Sequence, residues 1–503
     1  MKPTRLLLIL LIFISTFAVG RDRITLQYNW KFAKGSQPNA EQVACNDAAW
    51  QSISLPHDWA ISGPSIPDGD GNTGKLPWKG EAWYRRALEI PTDYEGKTIY
   101  LIFDGIMSSP TVYINGQLAG SWDYGYNSFY LDITKLIQSG KPNSIAIHVD
   151  TREHDSRWYP GAGIYRKIEM LVTDPVHTAV WGTHITTPII KAHYADVRIA
   201  TTVNNALASD ENARLEYAIL NAAGKEVTKQ ESKLTVPAGG TKKNEVTISL
   251  PNPKRWDIDN PVLYQVRTTV YRGDKAADIT STSFGVRSIY FTADRGFYLN
   301  DRRVQLKGVN LHHDHGPLGS AFYPRAMERQ LEIMKAVGAN AIRTSHNMPA
   351  PELLDLCDRM GILVFNEIFD KYDRKADITE KTDFDEFAHR NVKNFVLRDR
   401  NHPSVFLWSV GNEIGDVQYN INGGFAKLQT MVNYVRKYDL SRPVTLVCDN
   451  QPSASLRHFD YYDVHSWNYG RRYALARQLE PGKSVVISES ASTVSTRGLY
   501  ELT

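Results

Sequence analysis

The sequence predicts two β-sandwiches followed by a (β/α)8 TIM-type barrel whose last strand–helix unit is missing. Three observations carry this expectation. Strand and turn signals without helical periodicity run to about Pro175, a second set of alternating strands runs to about Arg287, and after Ser288 short apolar strands alternate with amphipathic helices. A length of 503 residues suits about three domains.

In the first segment, Thr111 to Ile114 and Gln117 to Ala119 flank Asn115-Gly116, a dipeptide that favours a tight hairpin because both residues tolerate positive φ. Asn143 to Asp150 alternates, with Ile145, Ile147 and Val149 on one face. Residues 21–175 are therefore assigned to a jelly roll. Residues 176–287 carry strands at Asp196 to Val203, Arg214 to Leu220, Glu245 to Leu250 and Leu263 to Tyr271. Turn clusters at Asn221 to Gly224 and Pro237 to Gly240 separate them. About seven strands in such a segment predict an immunoglobulin-like sandwich.

Residues 288–503 read as the barrel. Strands are expected at Gln305 to Asn310, Ala341 to Ser345, Leu363 to Glu367, Phe406 to Gly411, Thr445 to Cys448, Tyr462 to His465 and Val485 to Ser488. Between them, Arg325 to Val337 and Pro351 to Met360 begin at or just after a proline, which suits a helix's first turn. Phe425, Leu428, Met431, Val432 and Val435 fall on one helical stripe. The few residues after Glu489 are too short for an eighth unit.

The composition excludes some partners. A net charge of +3 is small for this length and argues against nucleic acid. Eleven Trp and 26 Tyr can stack on sugar faces, though such rings also fill sandwich cores. Residues 1–20 read as a cleaved export leader, with Lys2 and Arg5 before the apolar run Leu6 to Phe13 and small residues at Ala18-Val19-Gly20. A periplasmic or secreted location, without a membrane anchor in the mature chain, follows. Cys45, Cys357 and Cys448 are too few and too scattered for a disulfide framework or a metal cluster.

In a β/α barrel the reacting groups sit at the C-terminal ends of the strands. Polar residues gather there: His312 and His313, Arg343 and His346, Glu367 and Asp370, Asn412 and Glu413, His465 to Tyr469, and Glu489. Glu413 and Glu489 each end a strongly apolar strand, a costly place for a carboxylate without a partner or a task. Two carboxyl groups about 5–5.5 Å apart, one protonated and one ionised, are what a retaining glycosidase requires.

Here the sequence resembles glycoside hydrolase family 2, the β-galactosidases, β-glucuronidases and β-mannosidases. The matching pieces are LPHDW (Leu55 to Trp59), RWYPGAGIYR (Arg157 to Arg166), LKGVNLHHDHG (Leu306 to Gly316), IRTSHNMP (Ile342 to Pro349), RDRNHPSVFLWSVGNE (Arg398 to Glu413) and ISES (Ile487 to Ser490). The resemblance implies a sugar-binding jelly roll, an immunoglobulin-like domain and a barrel, in that order. It also implies Glu413 as acid/base, Glu489 as nucleophile, Asn412 as the partner of the sugar 2-hydroxyl, and Tyr469 as the residue that orients the nucleophile. His312, Arg343 and His346 match residues around the subsite of the cleaved sugar, and Asp370 and Arg157 are further substrate-binding candidates.

The chain departs from the family in places. Where large β-galactosidases hold magnesium after the third strand, Asn366 to Tyr372 contains no His, so no metal or other cofactor is expected to be required. Ser492 replaces a His that those enzymes carry three residues after the nucleophile. The expected function is exo-hydrolysis of terminal β-linked sugars, β-galactosides first and β-glucuronides or β-mannosides as alternatives. A non-catalytic carbohydrate-binding fragment is the reading from another class. The expected partner is an oligosaccharide or glycoside, and a homo-oligomer is compatible with the sequence. A metal-dependent hydrolase built on His312-His313-Asp314-His315 is disfavoured, because neighbours in an extended segment point to opposite sides.

Overall fold

The computed structural model describes residues 20–372, 383–450, 458–470 and 473–491. The leader expected over residues 1–20 therefore lies outside the described residues apart from Gly20, as does Ser492.

The first module packs two antiparallel sheets face to face. One holds Asp22–Thr25, Ile168–Thr173, Thr98–Phe103 and Phe129–Asp132. The other runs in the order Gln51–Ile53, Trp30–Lys34, Glu81–Glu89, Pro142–Asp150, Thr111–Ile114 and Gln117–Ser121. The alternation seen in the sequence is the reason for the packing: Ile145, Ile147 and Val149 are fully buried, together with Trp30, Tyr84 and Phe103. The predicted hairpin is present, with φ of 52° at Asn115 and 80° at Gly116.

The second module has seven strands, from Val176–Ile190 to Lys275–Phe284, in sheets of three and four. Its fourth strand, Glu226–Val236, pairs with the third, Glu211–Leu220, and so completes the larger sheet. The core is Val197, Ile199, Leu215, Tyr217, Val266 and their neighbours.

The third module begins with a feature that the sequence reading missed. A three-stranded antiparallel sheet, Ile289–Thr292, Gly296–Leu299 and Arg302–Arg303, precedes the barrel. Phe297 and Leu299 from it join Phe365, Phe406, Val447 and Val464 in one buried cluster, which fills the N-terminal end of the barrel. Seven parallel strands follow in sequential order: β1 (Gly308–Leu311), β2 (Ala341–Thr344), β3 (Leu363–Glu367), β4 (Val405–Asn412), β5 (Val444–Cys448), β6 (Val464–Asn468) and β7 (Ser484–Glu489). Every residue of β2 to β6 is buried, as expected for strands covered on both faces.

The helices are α1 (Pro324–Ala336), α2 (Pro351–Met360), α3 (Phe384–Asp399), the short α4 (Gly415–Gln418), α5 (Gly424–Tyr438) and α6 (Tyr473–Leu479). The sheet curls into a barrel. Asn310 Nδ2 on β1 donates to Ser488 O on β7 at 3.0 Å, and Arg343 on β2 reaches Glu489 on β7 at 2.7 Å. Among the described residues there is no eighth strand.

Two predicted strands shift. β1 starts at Gly308 rather than Gln305, because Lys307 and Gln305 are occupied by side-chain bonds with Asn340. β6 spans Val464–Asn468 rather than Tyr462 to His465, because Tyr462 closes a short helical turn, His458–Tyr461, by bonding His458 Nδ1 at 2.9 Å.

The first and third modules are locked together by buried polar contacts. Asp58, 3% exposed, accepts Tyr159 OH at 2.7 Å from its own module and Ser320 N and Oγ at 2.9 Å from the loop after β1. Gly161 permits this approach: it has φ of 78°, and a Cβ there would lie 1.8 Å from Ser320 Oγ. Elsewhere Tyr124 OH donates to Ile368 O at 2.8 Å and Arg398 Nη1 to Ser128 Oγ at 2.7 Å.

Candidate active site

The site is built from residues at the C-terminal ends of six strands, β1 to β4, β6 and β7, and from one loop of the first module. β4 ends at Asn412, and the chain turns at once: Glu413 has φ of 50°, the left-handed region that a residue with a Cβ adopts only when its surroundings fix it. Its amide donates to Val447 O at 2.8 Å, which pins the turn to β5. Tyr469, just past β6, has φ of 56° and its amide donates to Glu489 O at 2.6 Å. The backbone strain in this region thus sits at two of the predicted residues.

Glu489 is the end of β7. Arg343 Nη1 donates to Glu489 Oε1 at 2.7 Å, Tyr469 OH donates to Oε2, and His346 Nε2 lies 3.8 Å from Oε1. Burial alone pushes this carboxyl up, but the Arg343 charge and the two hydrogen bonds outweigh it, and the pKa is lowered. Arg343 is 3% exposed and also forks onto the fully buried Glu367 at 2.9 Å. Burial disfavours its charge; Glu367 and Glu489 more than restore it. Glu367 in turn accepts His346 Nδ1 at 2.6 Å and Ser409 Oγ at 2.7 Å.

Glu413 belongs to the same network from the other side. Asn468 Nδ2 donates to Glu413 Oε1 at 2.8 Å and to Asn412 Oδ1 at 3.1 Å, and Arg343 Nη2 donates to that same Asn412 oxygen at 2.8 Å. Lys371 Nζ stands 3.7 Å from Glu413 Oε2 and donates to Asn412 O at 2.7 Å. Arg343 and Asn412 therefore link the two glutamates.

Asp370 joins the first module to the site. Arg157 binds it with two parallel contacts, Nε to Oδ2 at 3.0 Å and Nη2 to Oδ1 at 2.6 Å, while Asn412 Nδ2 and Lys371 Nζ also donate to Oδ1, both at 3.1 Å. Burial would raise its pKa; Lys371 and Arg157 hold it well below the usual carboxylate range. Beside Arg157, the Trp158 ring packs on His312 at 4.7 Å and on His346 at 5.4 Å. Burial first, then the His346 and Arg343 charges, lower His312 to about 4, so this ring is neutral near neutral pH.

All nine predicted residues, Glu413, Glu489, Asn412, Tyr469, His312, Arg343, His346, Asp370 and Arg157, thus come together. Sequence reasoning named Asn468 only within the strand-end group His465 to Tyr469, without a role, and left out Lys371 and Trp158; each is a direct neighbour of a residue it chose. It also counted His465 among the strand-end groups. That ring instead packs at a tilt against Phe459, with centroids 3.9 Å apart. The histidine run does not converge on one point. His313 donates to Pro160 O at 2.9 Å, His315 Nδ1 meets Gln330 at 3.2 Å, and His312 packs on Trp158. Among the described residues, the group whose ligand atoms lie within 4.8 Å of one another is Asp355, Asp358 and His402. It is at the N-terminal end of the barrel, and Asp358 is already engaged by His402 Nδ1 at 2.6 Å and Ser404 N at 3.0 Å.

Two β-sandwiches in front of a parallel β/α barrel, with carboxylates and their cationic partners at the strand C-termini, define a multidomain barrel protein with a built polar site. Three family descriptions match consecutive segments: the sugar binding domain of glycosyl hydrolases family 2 over residues 25–175, glycosyl hydrolases family 2 over residues 178–287, and its TIM barrel domain over residues 292–500. The chain belongs to glycoside hydrolase family 2.

Beta-galactosidase BoGH2A of Bacteroides ovatus is 36% identical over 97% of this chain, which covers 61% of that protein. A solved family 2 member from Bacteroides cellulosilyticus superposes with a TM-score of 0.87 at 33% identity, over 93% of this chain and 61% of that one. A solved Bacteroides uniformis beta-glucuronidase gives 0.84 at 26% identity, over 95% of this chain and 60% of that one. The chain thus spans about three-fifths of the length of these relatives. None of the helices among the described residues is long and apolar enough to cross a membrane.

Proposed function

We propose that this chain carries the active site of a retaining exo-β-glycosidase that releases terminal β-linked sugars, β-galactosides first and β-glucuronides or β-mannosides as alternatives. The observation that supports it is the meeting of Glu413 and Glu489 on one hydrogen-bonded network, with Arg343 and Tyr469 both on Glu489 and Asn468 on Glu413. The β-galactoside preference is supported by the name of the B. ovatus relative, and the glucuronide alternative by that of the B. uniformis structure.

In this reading Glu489, kept ionised by Arg343, attacks the anomeric carbon. Glu413 gives its proton to the departing oxygen, so the leaving group departs as an alcohol and a glycosyl ester forms on Glu489. Glu413 then takes a proton from water, the hydroxide attacks the same carbon, and the Glu489 carboxylate is released. Two inversions restore the β configuration. Asn412 offers its amide to the sugar 2-hydroxyl, and Arg157 and Asp370 form the wall of the sugar pocket. No metal enters these steps, so chelation leaves turnover unchanged. The leader read in the first 20 residues supports export to the periplasm or beyond.

The test is kinetic. Glu489→Gln removes the nucleophile and lowers kcat on all glycosides by at least about a thousandfold. Glu413→Ala slows sugars with poor leaving groups far more than activated nitrophenyl glycosides, which depart without a proton. Full activity of both variants on every substrate overturns the proposal. Sugar binding without hydrolysis by the unaltered chain favours the binding-protein reading.

A further inference from the structure

At the opposite end of the barrel from the two glutamates lies a cleft of about 560 Å³ between the second and third modules. One wall is the outer face of the three-stranded sheet: Ala200 pairs with both His184 and Glu245, and Arg198 and Lys243 lie two residues away on the same face. The other wall is the barrel's N-terminal end, where the turn after α3 brings Arg400, and the last turn of α5 with the segment after it brings residues 436–442. Arg287 comes from the linker between the modules.

The charge of this cleft is out of balance. Seven of its lining residues are Arg or Lys and two, Glu245 and Asp439, are acidic. Arg198 pairs with Glu245 at 2.6 Å and Arg442 with Asp439 at 2.8 Å, and Arg436 turns to Asp463 at 2.8 Å. Lys243 shares Glu245 at 3.5 Å. Among the described residues Arg287, Arg400 and Lys437 have no carboxylate within ion-pair distance.

A purely structural account covers part of this. α3 and α5 both end here, each contributing about half a negative charge from its carbonyls. Arg400 Nη1 caps Tyr438 O, the last residue of α5, at 3.1 Å, and Arg287 Nη2 donates to Val405 O at the start of β4 at 2.6 Å. Two helix ends offset about one charge, which leaves a clear positive surplus in a concave site. Arg400 is 9% exposed, and its Nε is buried without a partner. Burial first, set against Asp439 and reinforced by Arg442, pushes its pKa down to about 10, the mark of a cation that its surroundings do not neutralise.

We propose that this cleft binds a doubly charged oxyanion, sulfate or phosphate, either free or borne on a sugar. The ligand bridges Lys243 of the sandwich and Arg400 and Lys437 of the barrel. Binding there ties two modules together far from the hydrolytic residues, and it stabilises the folded chain by mass action.

The test is calorimetric titration of the full chain with sodium sulfate and sodium phosphate against sodium chloride at matched ionic strength. Galactose 6-sulfate and galactose form a second pair. The expected result is one oxyanion bound per chain and no chloride saturation, weakened at least about tenfold in Lys243→Ser/Lys437→Ser. Both lysines are exposed, so this variant keeps the fold. A Lys225→Ser/Lys275→Ser variant, with the same charge loss elsewhere, keeps the affinity. Galactose 6-sulfate binding more tightly than sulfate assigns the ligand to a sugar; equal affinities assign it to the free ion. No oxyanion-specific binding, or equal weakening in both double variants, overturns the proposal.

Discussion

Glu489 and Tyr469 divide the work at the residue scale. Tyr469 is 37% exposed and its hydroxyl donates to the Glu489 carboxylate, so Tyr469→Phe removes that contact without opening the core. Burial then counts for more against the carboxylate, its pKa rises, and the acid limb of the pH profile of kcat/KM moves to higher pH with kcat lowered about tenfold to a hundredfold. An unmoved limb would show that Tyr469 leaves the titration of Glu489 alone. Glu367 makes a different prediction. It is fully buried between Arg343 and His346, and Glu367→Gln leaves the Arg343 charge half compensated. Breaking one partner of such a pair costs on the order of 3 kcal/mol, so the melting temperature falls by several degrees even though Glu367 touches no substrate in the proposed reaction.

Among the elements, the turn between α3 and β4 carries a pH dependence of stability. His402 is half-buried, and desolvation lowers its pKa, but the Asp358 carboxylate 2.6 Å away more than reverses this and holds it up to about 9. A raised histidine stabilises the fold fully below its unfolded value of about 6.5, and the contribution is lost as pH rises through about 9. Melting temperatures should therefore decline from neutral pH to above the upper value, and decline less in His402→Gln. An identical decline in both would place the alkaline weakness elsewhere.

The same stretch shows why some elements are legible and others are not. β4 leads straight into Glu413 and β7 ends in Glu489, and α5 carries a full stripe of Leu428, Met431, Val432 and Val435, all buried. The sheet at Ile289–Leu299 is marked by short, mixed segments whose partners, Phe365 and Phe406, lie far along the chain. Periodicity has no access to such partners. His465 was placed at the rim by its position near a strand end, and a shift of two residues in where β6 begins put its ring against Phe459 instead.

For the whole molecule, the barrel alone is not the site. Arg157 and Trp158 come from the first module, held by the Asp58 hub and by the close approach at Gly161. Asp58→Ala leaves Tyr159 OH and Ser320 without their shared acceptor. It should raise KM and separate the thermal transition of the first module from that of the barrel; an unchanged single transition with unchanged KM would deny the hub its coupling role. This docking was visible in the sequence only as motifs, LPHDW and RWYPGAGIYR, whose purpose in joining modules no single-segment pattern reveals. The composition of the strand-end residues was legible because each lies beside an apolar strand. The roles of Lys371, Asn468 and Trp158 were not, because what recruits each of them is a partner on another element.

The central claim is that Glu413 and Glu489 address one sugar from opposite sides. Azide rescue of the two alanine variants, on whichever nitrophenyl glycoside the unaltered chain hydrolyses, tests it most directly, because the small anion enters where the missing carboxylate stood. Glu489→Ala with azide should yield the α-glycosyl azide, and Glu413→Ala with azide the β-glycosyl azide. The same anomer from both variants, or no azide product from either, would contradict the account.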